Sequence, residues 1–312
     1  MKGMSALEWI PFGRGVRVLE QHPCGLFAVE KPDGILAHPN PGEPVEKGEV
    51  LIAGNYSMEE EAFHVRDGQG GIRRVYLLNR LDSPTSGVLL LCLDEAIAKL
   101  VRELFAKSQV AKKYLALVRG RGLRTPRGTW QDQLVKTRGP GNSVRSAATE
   151  GGGMSAVTLY QWERSATGDL PLSLLRLEPR TGRTHQLRVQ TAQHGHPILG
   201  DRTYGDFDFN KAVGTGRGFK RLFLHAFSTE VTFPWQGATV RFAATAPMPA
   251  EFERALKGPE SEGDGPRKKP SGPVGKQVSP RRRIRLYSQG VPQTIFSTAT
   301  MAGSCASSSF RL

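Results

Sequence analysis

The sequence predicts an α+β domain followed by a polar tail. Short apolar segments typical of strands outnumber those with helical spacing, and the two kinds do not alternate in the regular way of a doubly wound fold. After Leu256 the composition changes to proline, glycine, serine and charged residues, which leaves little to bury. We therefore expect one domain over residues 1–256 and a disordered tail over residues 257–312.

The first half of the domain is expected to hold several strands and one helix. Two strands, at 16–19 and 26–29, are joined by a turn-prone segment, and an extended loop rich in glycine and proline (DGILAHPNPGEP) follows. GVLLLCL, residues 87–93, is a short apolar run typical of a buried strand. Asp94 is placed to cap a helix that ends near residues 107–108, since apolar residues between them recur with helical spacing.

The second half continues in the same style. Residues 120–153, rich in glycine, arginine and threonine, are expected to form a loop or a loose hairpin. THQLRVQTAQ, which begins at Thr184, has the pattern of a helix that Thr184 can cap. A last helix is expected over 248–256, and apolar segments predict further strands at 114–118, 155–162, 172–177, 222–233 and 239–243.

The charge of the chain points to a polyanionic partner. The formal net charge is +14, and a positive field of this size favours nucleic acid. Residues 257–312 contribute ten basic and three acidic side chains, so half of the excess belongs to the tail. Composition alone leaves RNA, DNA and anionic lipid open.

The sequence also bears on the cellular compartment. No apolar stretch reaches the roughly 18 residues that a membrane helix needs, and the N-terminus MKGMSALEWIPFG lacks the apolar core of a secretory signal. The three cysteines are far apart and match no metal or redox spacing. We therefore expect free thiols in a reducing cytoplasm.

A first candidate site is the run LNRLDSPTSG, residues 78–87. Arg80 and Asp82 fit an ordinary surface ion pair, which is the commoner case for such residues. However, the pair directly precedes an apolar strand, and Pro84 and Gly87 restrict the backbone there. Active-site acids are often held on such turns, so Asp82 is a candidate for chemistry.

A second candidate is the run RTGRTHQLRV, residues 180–189, where three arginines and His185 gather around the expected start of a helix. Helix N-termini bind anions, and arginine suits phosphate oxygens. An ordinary basic helix on the surface explains the pattern equally well.

Metal and hydrolase chemistry find little support. No acid or cysteine stands at ligand spacing from the histidines, and residues 194–197 (HGHP) have the composition of a turn. A nucleophile elbow, a P-loop and a dinucleotide-binding glycine motif are all absent from the sequence. The residues by themselves indicate a basic α+β protein with one acid of interest.

Several segments, in order, resemble the RluA-type RNA pseudouridine synthases. The similarity covers most of residues 16–250, and its longest blocks are LNRLDSPTSGVLLL and GRTHQLRVQTAQHGHPILGDRTYG. Shorter blocks are FAVEKPDGILAHP, AKKYLALVRG and LFLHA. The resemblance implies the fold of that catalytic domain, a mixed and mainly antiparallel sheet flanked by helices and loops, without an S4-like RNA-binding module.

The resemblance also implies a reaction and its residues. Uridine in RNA is detached from its sugar at N1, rotated and rejoined through C5, without a cofactor or a metal. The essential carboxylate falls on Asp82, the tyrosine that stacks on the uracil on Tyr114, and the basic partner of the carboxylate on Arg188. Arg80 matches the arginine implicated in holding the target nucleotide out of the stack. Further RNA contacts are expected from Lys112, Lys113, Arg183 and His185.

Two positions depart from the family pattern. The residue before R-L-D is usually histidine and is Asn79 here, which hydrogen-bonds but does not titrate near neutral pH. Gln190 stands where histidine is common. Because the implied catalytic groups are all present, we expect activity to survive.

The sequence analysis ends with two hypotheses. The first is an isomerase that acts on structured RNA, ribosomal or transfer, as a cytoplasmic monomer without cofactor or metal and with no membrane partner. The alternative is a non-catalytic RNA-binding or ribosome-assembly factor on the same fold. A DNA-binding protein is disfavoured because no recognition helix or zinc finger is visible.

Overall fold

The computed structural model describes residues 7–39, 49–139 and 144–258. Within them the chain forms thirteen strands and four helices. The helices are α1 (Glu95–Ala106), α2 (Gln186–Gln193), α3 (Phe207–Arg217) and α4 (Ala250–Lys257). The strands are β1 (Arg17–Gln21), β2 (Leu26–Lys31), β3 (Asn55–Ser57), β4 (Ala62–Arg66), β5 (Ile72–Leu77), β6 (Ser86–Cys92), β7 (Ala111–Arg119), β8 (Arg127–Arg138), β9 (Val144–Thr149), β10 (Met154–Ser165), β11 (Leu172–Pro179), β12 (Leu224–Trp235) and β13 (Ala238–Thr245).

These strands form one sheet in the order β3-β4-β5-β6-β12-β7-β11-β10-β8-β9, with β2 also on β6, β1 on β2 and β13 on β12. The described pairs are antiparallel except β6–β12, which is parallel. The class expected from the sequence, α+β with a mixed and mainly antiparallel sheet, is confirmed. The tail predicted to be disordered lies, from residue 259 onward, outside the described residues.

Strand β6 lies inside the sheet, between β5 and β12, and both of its faces are buried. Leu89 and Leu91 contact one apolar core, which β4 and β5 share, while Val88 and Leu90 contact another beneath α1. All seven residues of the strand are buried, as its continuous apolar run predicts. The strand thereby fixes the end of the turn that carries Asp82.

Gly87 lets β6 approach β12 closely at this end. Its φ is 116°, and a Cβ atom there would lie 2.2 Å from the carbonyl oxygen of Ala226. Only glycine fits this backbone and this contact. The restriction expected around Asp82 therefore has a physical cause.

Most expected elements are present, and α1 has the expected cap. The Asp94 carboxylate accepts a hydrogen bond from the Ile97 N–H at 2.9 Å. The region expected as a loop or loose hairpin forms the long hairpin β8–β9. Strands β3 to β5 and helix α3 had no counterpart in the sequence-based prediction.

One local prediction was wrong. Thr184 does not cap α2, because His185 occupies the N-cap position in the left-handed conformation, with φ 53° and ψ 19°. The Gln186 side chain instead accepts hydrogen bonds from the Arg183 N–H and the Thr181 hydroxyl. The helix start is thus organised by an amide inside its first turn.

Candidate active site

A cleft of about 620 Å³ opens where the β5–β6 turn, β7 and the start of α2 meet. Five cationic side chains and two acids line it, so its field is positive. Seven of the residues singled out from the sequence are on its wall: Arg80, Asp82, Lys112, Tyr114, Arg183, His185 and Arg188. Residues separated by more than a hundred positions therefore converge on one site.

The turn that carries Asp82 is fixed by its own backbone and by the segment after β2. The Thr85 N–H donates to the Asp82 carbonyl at 2.9 Å, and the Gly34 N–H donates to the Ser83 carbonyl at 2.9 Å. The Ser83 hydroxyl donates back to the Gly34 carbonyl. The acid thus stands on a turn held from two sides.

Lys31, at the end of β2, provides a further hold on this turn. Its ammonium donates to the carbonyls of Ser83 (2.9 Å), Pro32 (2.9 Å) and Ile35 (2.7 Å). The side chain is fully buried, and this burial lowers the pKa of Lys31 to about 7. Three carbonyl acceptors and the absence of solvent contact suit Lys31 to holding this turn in place.

Arg188 joins Asp82 to a second acid. Its Nη1 lies 2.9 Å from Oδ2 of Asp82, while Nε and Nη2 donate to the two oxygens of Asp201 at 2.7 and 2.9 Å. Asp201 also accepts from the N–H groups of Thr203 and Tyr204. This fork fixes the guanidinium plane, because a bidentate pair permits one orientation.

Burial and neighbouring charge shift the pKa values of Arg188 and Asp201 in opposite directions. Burial alone would lower the pKa of the Arg188 guanidinium, but the carboxylates of Asp201 and Asp82 raise it. Burial alone would raise the pKa of Asp201, but hydrogen bonds and charge from Arg188 lower it. Both partners are therefore ionised, and Arg188 offers Asp82 a permanent positive charge.

The two oxygens of Asp82 have different surroundings. Oδ2 faces Arg188, and Nε2 of His185 lies 3.6 Å from it. Oδ1 has no hydrogen-bond partner among residues 7–39, 49–139 and 144–258. With the side chain 28% exposed, one oxygen stays open toward the cleft.

His185 is held by Tyr204. Its Nδ1 lies 2.8 Å from the Tyr204 hydroxyl, which also accepts from the Ser146 N–H. Burial lowers the pKa of His185, while the Asp82 charge opposes this. The ring is therefore predominantly neutral at pH 7, in keeping with a hydrogen-bonding role.

Tyr114 projects from β7 into the same cleft. In the described part of the chain its hydroxyl has no hydrogen-bond partner. Burial, together with the charge of Asp82, raises the pKa of the phenol. The hydroxyl thus stays protonated at neutral pH and is free to meet a ligand.

The other expected RNA contacts fall into two groups. Lys112, whose pKa burial lowers, lines the cleft, as do Arg80 and Arg183. Lys113 does not line the cleft. Its side chain is exposed, unlike those of its neighbours Lys112 and Tyr114, and its charge helps to lower the pKa of Glu230 on β12. Its expected contact with RNA would lie outside this cleft.

Asn79 has a structural contact that the sequence did not reveal. Its side-chain oxygen accepts a hydrogen bond from the Leu90 N–H at 2.8 Å. The amide thereby ties the start of the turn to β6. A neutral imidazole can offer an acceptor nitrogen to the same N–H.

Three residues at the site were not singled out from the sequence. Lys31, Asp201 and Tyr204 all lie within segments that carry the family resemblance, which was the only available signal. Their roles depend on contacts across the fold. An acid that holds an arginine from behind has no local sequence pattern of its own.

No group of three histidine, cysteine, aspartate or glutamate residues that could hold a metal occurs among the described residues. His194 and Gly195 form a turn, as expected. Over the same part of the chain, no helix is long and apolar enough to cross a membrane.

Comparison with known proteins identifies the class to which this fold and site belong. The family model described as RNA pseudouridylate synthase matches residues 25–193, a range that includes Asp82, Tyr114 and Arg188. Human RNA Pseudouridylate Synthase Domain Containing 1 has a similar solved structure, with a TM-score of 0.53 at 23% identity over 78% of this chain and 97% of that one.

Curated relatives agree with this class. The chain is 36% identical over 226 residues to tRNA pseudouridine synthase C of Pasteurella multocida, covering 70% of this chain and 86% of the relative. It is 33% identical over 240 residues to Ribosomal large subunit pseudouridine synthase C of Salmonella typhi, covering 74% of this chain and 66% of the relative. The chain belongs to the RNA pseudouridylate synthases, a family of RNA-modifying isomerases.

Proposed function

We propose that this protein converts specific uridines of ribosomal or transfer RNA to pseudouridine, with Asp82 as the essential carboxylate. One observation carries the proposal: Asp82 lies 2.9 Å from the buried Arg188 and shares a basic cleft with Tyr114. An acid, its fixed counter-ion and an aromatic ring on one cleft wall support the entry of a flipped uridine at this point.

Asp82 and Arg188 divide the work between them. Arg188 holds Oδ2 at 2.9 Å and sets a fixed positive charge beside the carboxylate. Oδ1, which faces the cleft without a partner in the described chain, is the atom that acts on the uridine. It can serve as a nucleophile or stabilise positive charge as the bond from C1′ to N1 breaks.

The rest of the reaction moves a proton and a base. The C1′–N1 bond breaks, the uracil rotates, and a new C1′–C5 bond forms. The proton lost from C5 is balanced by the one gained at N1, so no cofactor is consumed. Tyr114, whose neutral hydroxyl has no hydrogen-bond partner in the described chain, is proposed to stack on the ring and to pass this proton.

Entry of the base requires that it leave the helix stack. A paired base cannot be rotated in place, so the target nucleotide is flipped out. Arg80, exposed on the cleft wall, is placed to occupy the space that the base vacates. Lys112 and Arg183 provide charge for the adjoining phosphates.

The substrate class rests on the relatives. Their printed names include transfer RNA and large-subunit ribosomal RNA, and both remain candidates for this chain. We further propose that the protein acts as a monomer on structured RNA in the cytoplasm.

The direct test is to map pseudouridines in total RNA from cells with and without the gene. We expect one or a few sites to disappear without the gene and to return when the purified protein treats the unmodified RNA. An RNA-binding or assembly factor would bind the same RNA and leave every pseudouridine in place.

A further inference from the structure

A second, smaller cavity lies beside α3. It has a volume of about 240 Å³ and is lined by Gly200 and Asp201 on one side and by the first two turns of α3 on another. This is below the roughly 300–1,000 Å³ of sites for free small molecules. A cavity of this size suits one part of a larger ligand that is held elsewhere as well.

The rim of this cavity carries three positively charged side chains that form no ion pair within the described residues. Arg202, Lys211 and Lys220 are exposed, and none has an ion pair or hydrogen bond within the described residues. Elsewhere on this surface many arginines pair with acids, as Arg119 does with Asp206. Three unpaired cations around one cavity match an anionic group with several oxygens.

An exposed aromatic ring completes the rim. Phe207, the first residue of α3, is 62% exposed, which is unusual for phenylalanine. The ring stands among the three cations, and cations interleaved with an aromatic are the combination that holds single-stranded nucleic acid. Two acids flank Phe207 in sequence: Asp206 pairs with Arg119, and the exposed Asp208 lowers the local positive charge without removing it.

The cavity shares a residue with the candidate active site. The carboxylate of Asp201 holds Arg188, while the same residue forms part of the cavity wall. Asp201 therefore connects the wall of the cavity to Arg188 on the wall of the cleft. An RNA whose uridine occupies the cleft can reach the cavity with a nearby nucleotide.

We propose that this cavity is a second RNA-binding site, which takes a nucleotide that flanks the target uridine. Its base stacks on Phe207, and its phosphates contact Arg202, Lys211 and Lys220. The proposal rests on the proposed function for the identity of the RNA. It adds a specificity element that recognises an unpaired nucleotide outside the cleft.

The test compares the full-length protein with two variants, using unmodified total RNA from cells that lack the gene as the probe. Phe207→Ala is expected to raise KM about tenfold by loss of stacking. The triple variant Arg202→Gln/Lys211→Gln/Lys220→Gln is expected to raise KM and to lower the salt slope of binding by about 2 to 3, from three lost contacts. Single-turnover rates at saturating RNA should stay unchanged in both.

Controls separate binding from structural damage. Phe207→Trp keeps a stacking surface and should retain the wild-type KM. Arg66→Gln/Ile72→Ala removes an exposed arginine that has no ion pair within the described residues, and the exposed apolar side chain opposite it on β5. Ile72 lies five residues from the cleft-lining Leu77, about 17 Å along the strand, so this control should behave as wild type.

The outcomes separate this proposal from the proposed function. If the Phe207 and triple variants bind RNA as the control does, the second site is excluded whether or not the protein makes pseudouridine. A fall in the single-turnover rate without a change in KM would also overturn it, since the cavity would then act only through Asp201. If the wild-type protein forms no pseudouridine but the Phe207 and triple variants bind RNA more weakly than the wild type does, the proposed function is wrong and the second RNA-binding site is supported.

Discussion

At the scale of single residues, Asp82 has one oxygen bound by Arg188 and one oxygen without a hydrogen-bond partner in the described chain. The bound oxygen faces Arg188, which Asp201 fixes from behind. This arrangement fixes one oxygen of the acid and leaves the side chain 28% exposed. The sequence analysis singled out Arg188 but not Asp201. Their contact became visible only in the folded structure.

Tyr114 gives a prediction at alkaline pH. Its raised pKa means that the folded state keeps the proton after the unfolded chain has lost it. The contribution of Tyr114 to stability is therefore complete below its ordinary pKa of about 10 and is lost as pH rises further. We expect Tyr114→Phe to reduce the fall in the free energy of unfolding above pH ~10, measured by urea denaturation.

The same variant tests the chemical role of the hydroxyl. Tyr114→Phe keeps the stacking ring but has no proton to transfer, so it should bind RNA and turn over slowly. Three other tyrosines, Tyr56, Tyr76 and Tyr204, also have raised pKa values, so part of the alkaline slope will remain. An unchanged slope together with normal turnover would contradict both roles of Tyr114.

Asn79 gives a second prediction at this scale. Asn79→Leu leaves the buried Leu90 N–H without its acceptor, which costs about 1–3 kcal/mol of stability. Asn79→His can restore an acceptor nitrogen, so stability and turnover should change little. A large gain in rate with histidine would show instead that the asparagine limits catalysis.

At the scale of elements, the site depends on the join between β2 and the β5–β6 turn. Lys31 makes this join through three carbonyl groups, one of them in the residue after Asp82. Lys31→Met should therefore misplace Asp82 and reduce turnover about a hundredfold, the size of effect that a shift of about 1 Å produces.

Two further variants serve as controls for this prediction. Lys31→Arg should not restore turnover, because a larger, planar guanidinium does not reproduce the three carbonyl contacts of a fully buried ammonium. Lys107→Met removes a lysine from an exposed pair with Glu103 and should have no effect. The measurement is the turnover of each variant at saturating RNA. Wild-type turnover in Lys31→Met would exclude a positioning role for Lys31.

The elements also show which parts of the fold the sequence could predict. The apolar run of β6 and the capped, periodic α1 are local signals, and both were predicted. Strand β5 reads IRRVYL and is exposed over its first half, so its pairing with β4 and β6 decides its structure. Helix α3 contains two glycines and buries only Val213, which leaves almost no periodic signal.

The candidate site was predictable to a different degree. Asp82, Tyr114 and Arg188 were expected through a family resemblance, and the structure brings them into one cleft. The contacts of Asp201, Tyr204 and Lys31 were not predictable, because each acts across a long sequence separation. Thr184 failed as a cap since the competing hydrogen bonds of Gln186 cannot be seen in a local pattern.

At the scale of the whole molecule, charge is divided between the domain and the residues that follow it. Helix α4 runs through Lys257, and the Leu256 carbonyl accepts from the N–H groups of Thr167 and Gly168. A truncation should therefore fall after Gly258. Residues 259–312 hold nine basic and three acidic side chains.

We predict that this truncation weakens RNA binding without affecting the chemical step. Each phosphate contact that is lost should lower the salt slope by about 0.7 to 0.9. The melting temperature and the single-turnover rate at saturating RNA should stay as in the full chain. Unfolding of the truncated protein, or loss of the chemical step, would place these residues within the catalytic domain.

The most direct test of the account is Asp82→Asn, assayed by tritium release from RNA labelled at C5 of uridine. The change removes the charge and the reactive oxygen at nearly constant shape, while Asp201 still holds Arg188. Asp169→Asn is the matched control, because it breaks an aspartate–arginine pair with the exposed Asp169. We predict no tritium release from Asp82→Asn, with RNA affinity and melting temperature retained, and normal release from the control. Release at the wild-type rate from Asp82→Asn would contradict the account.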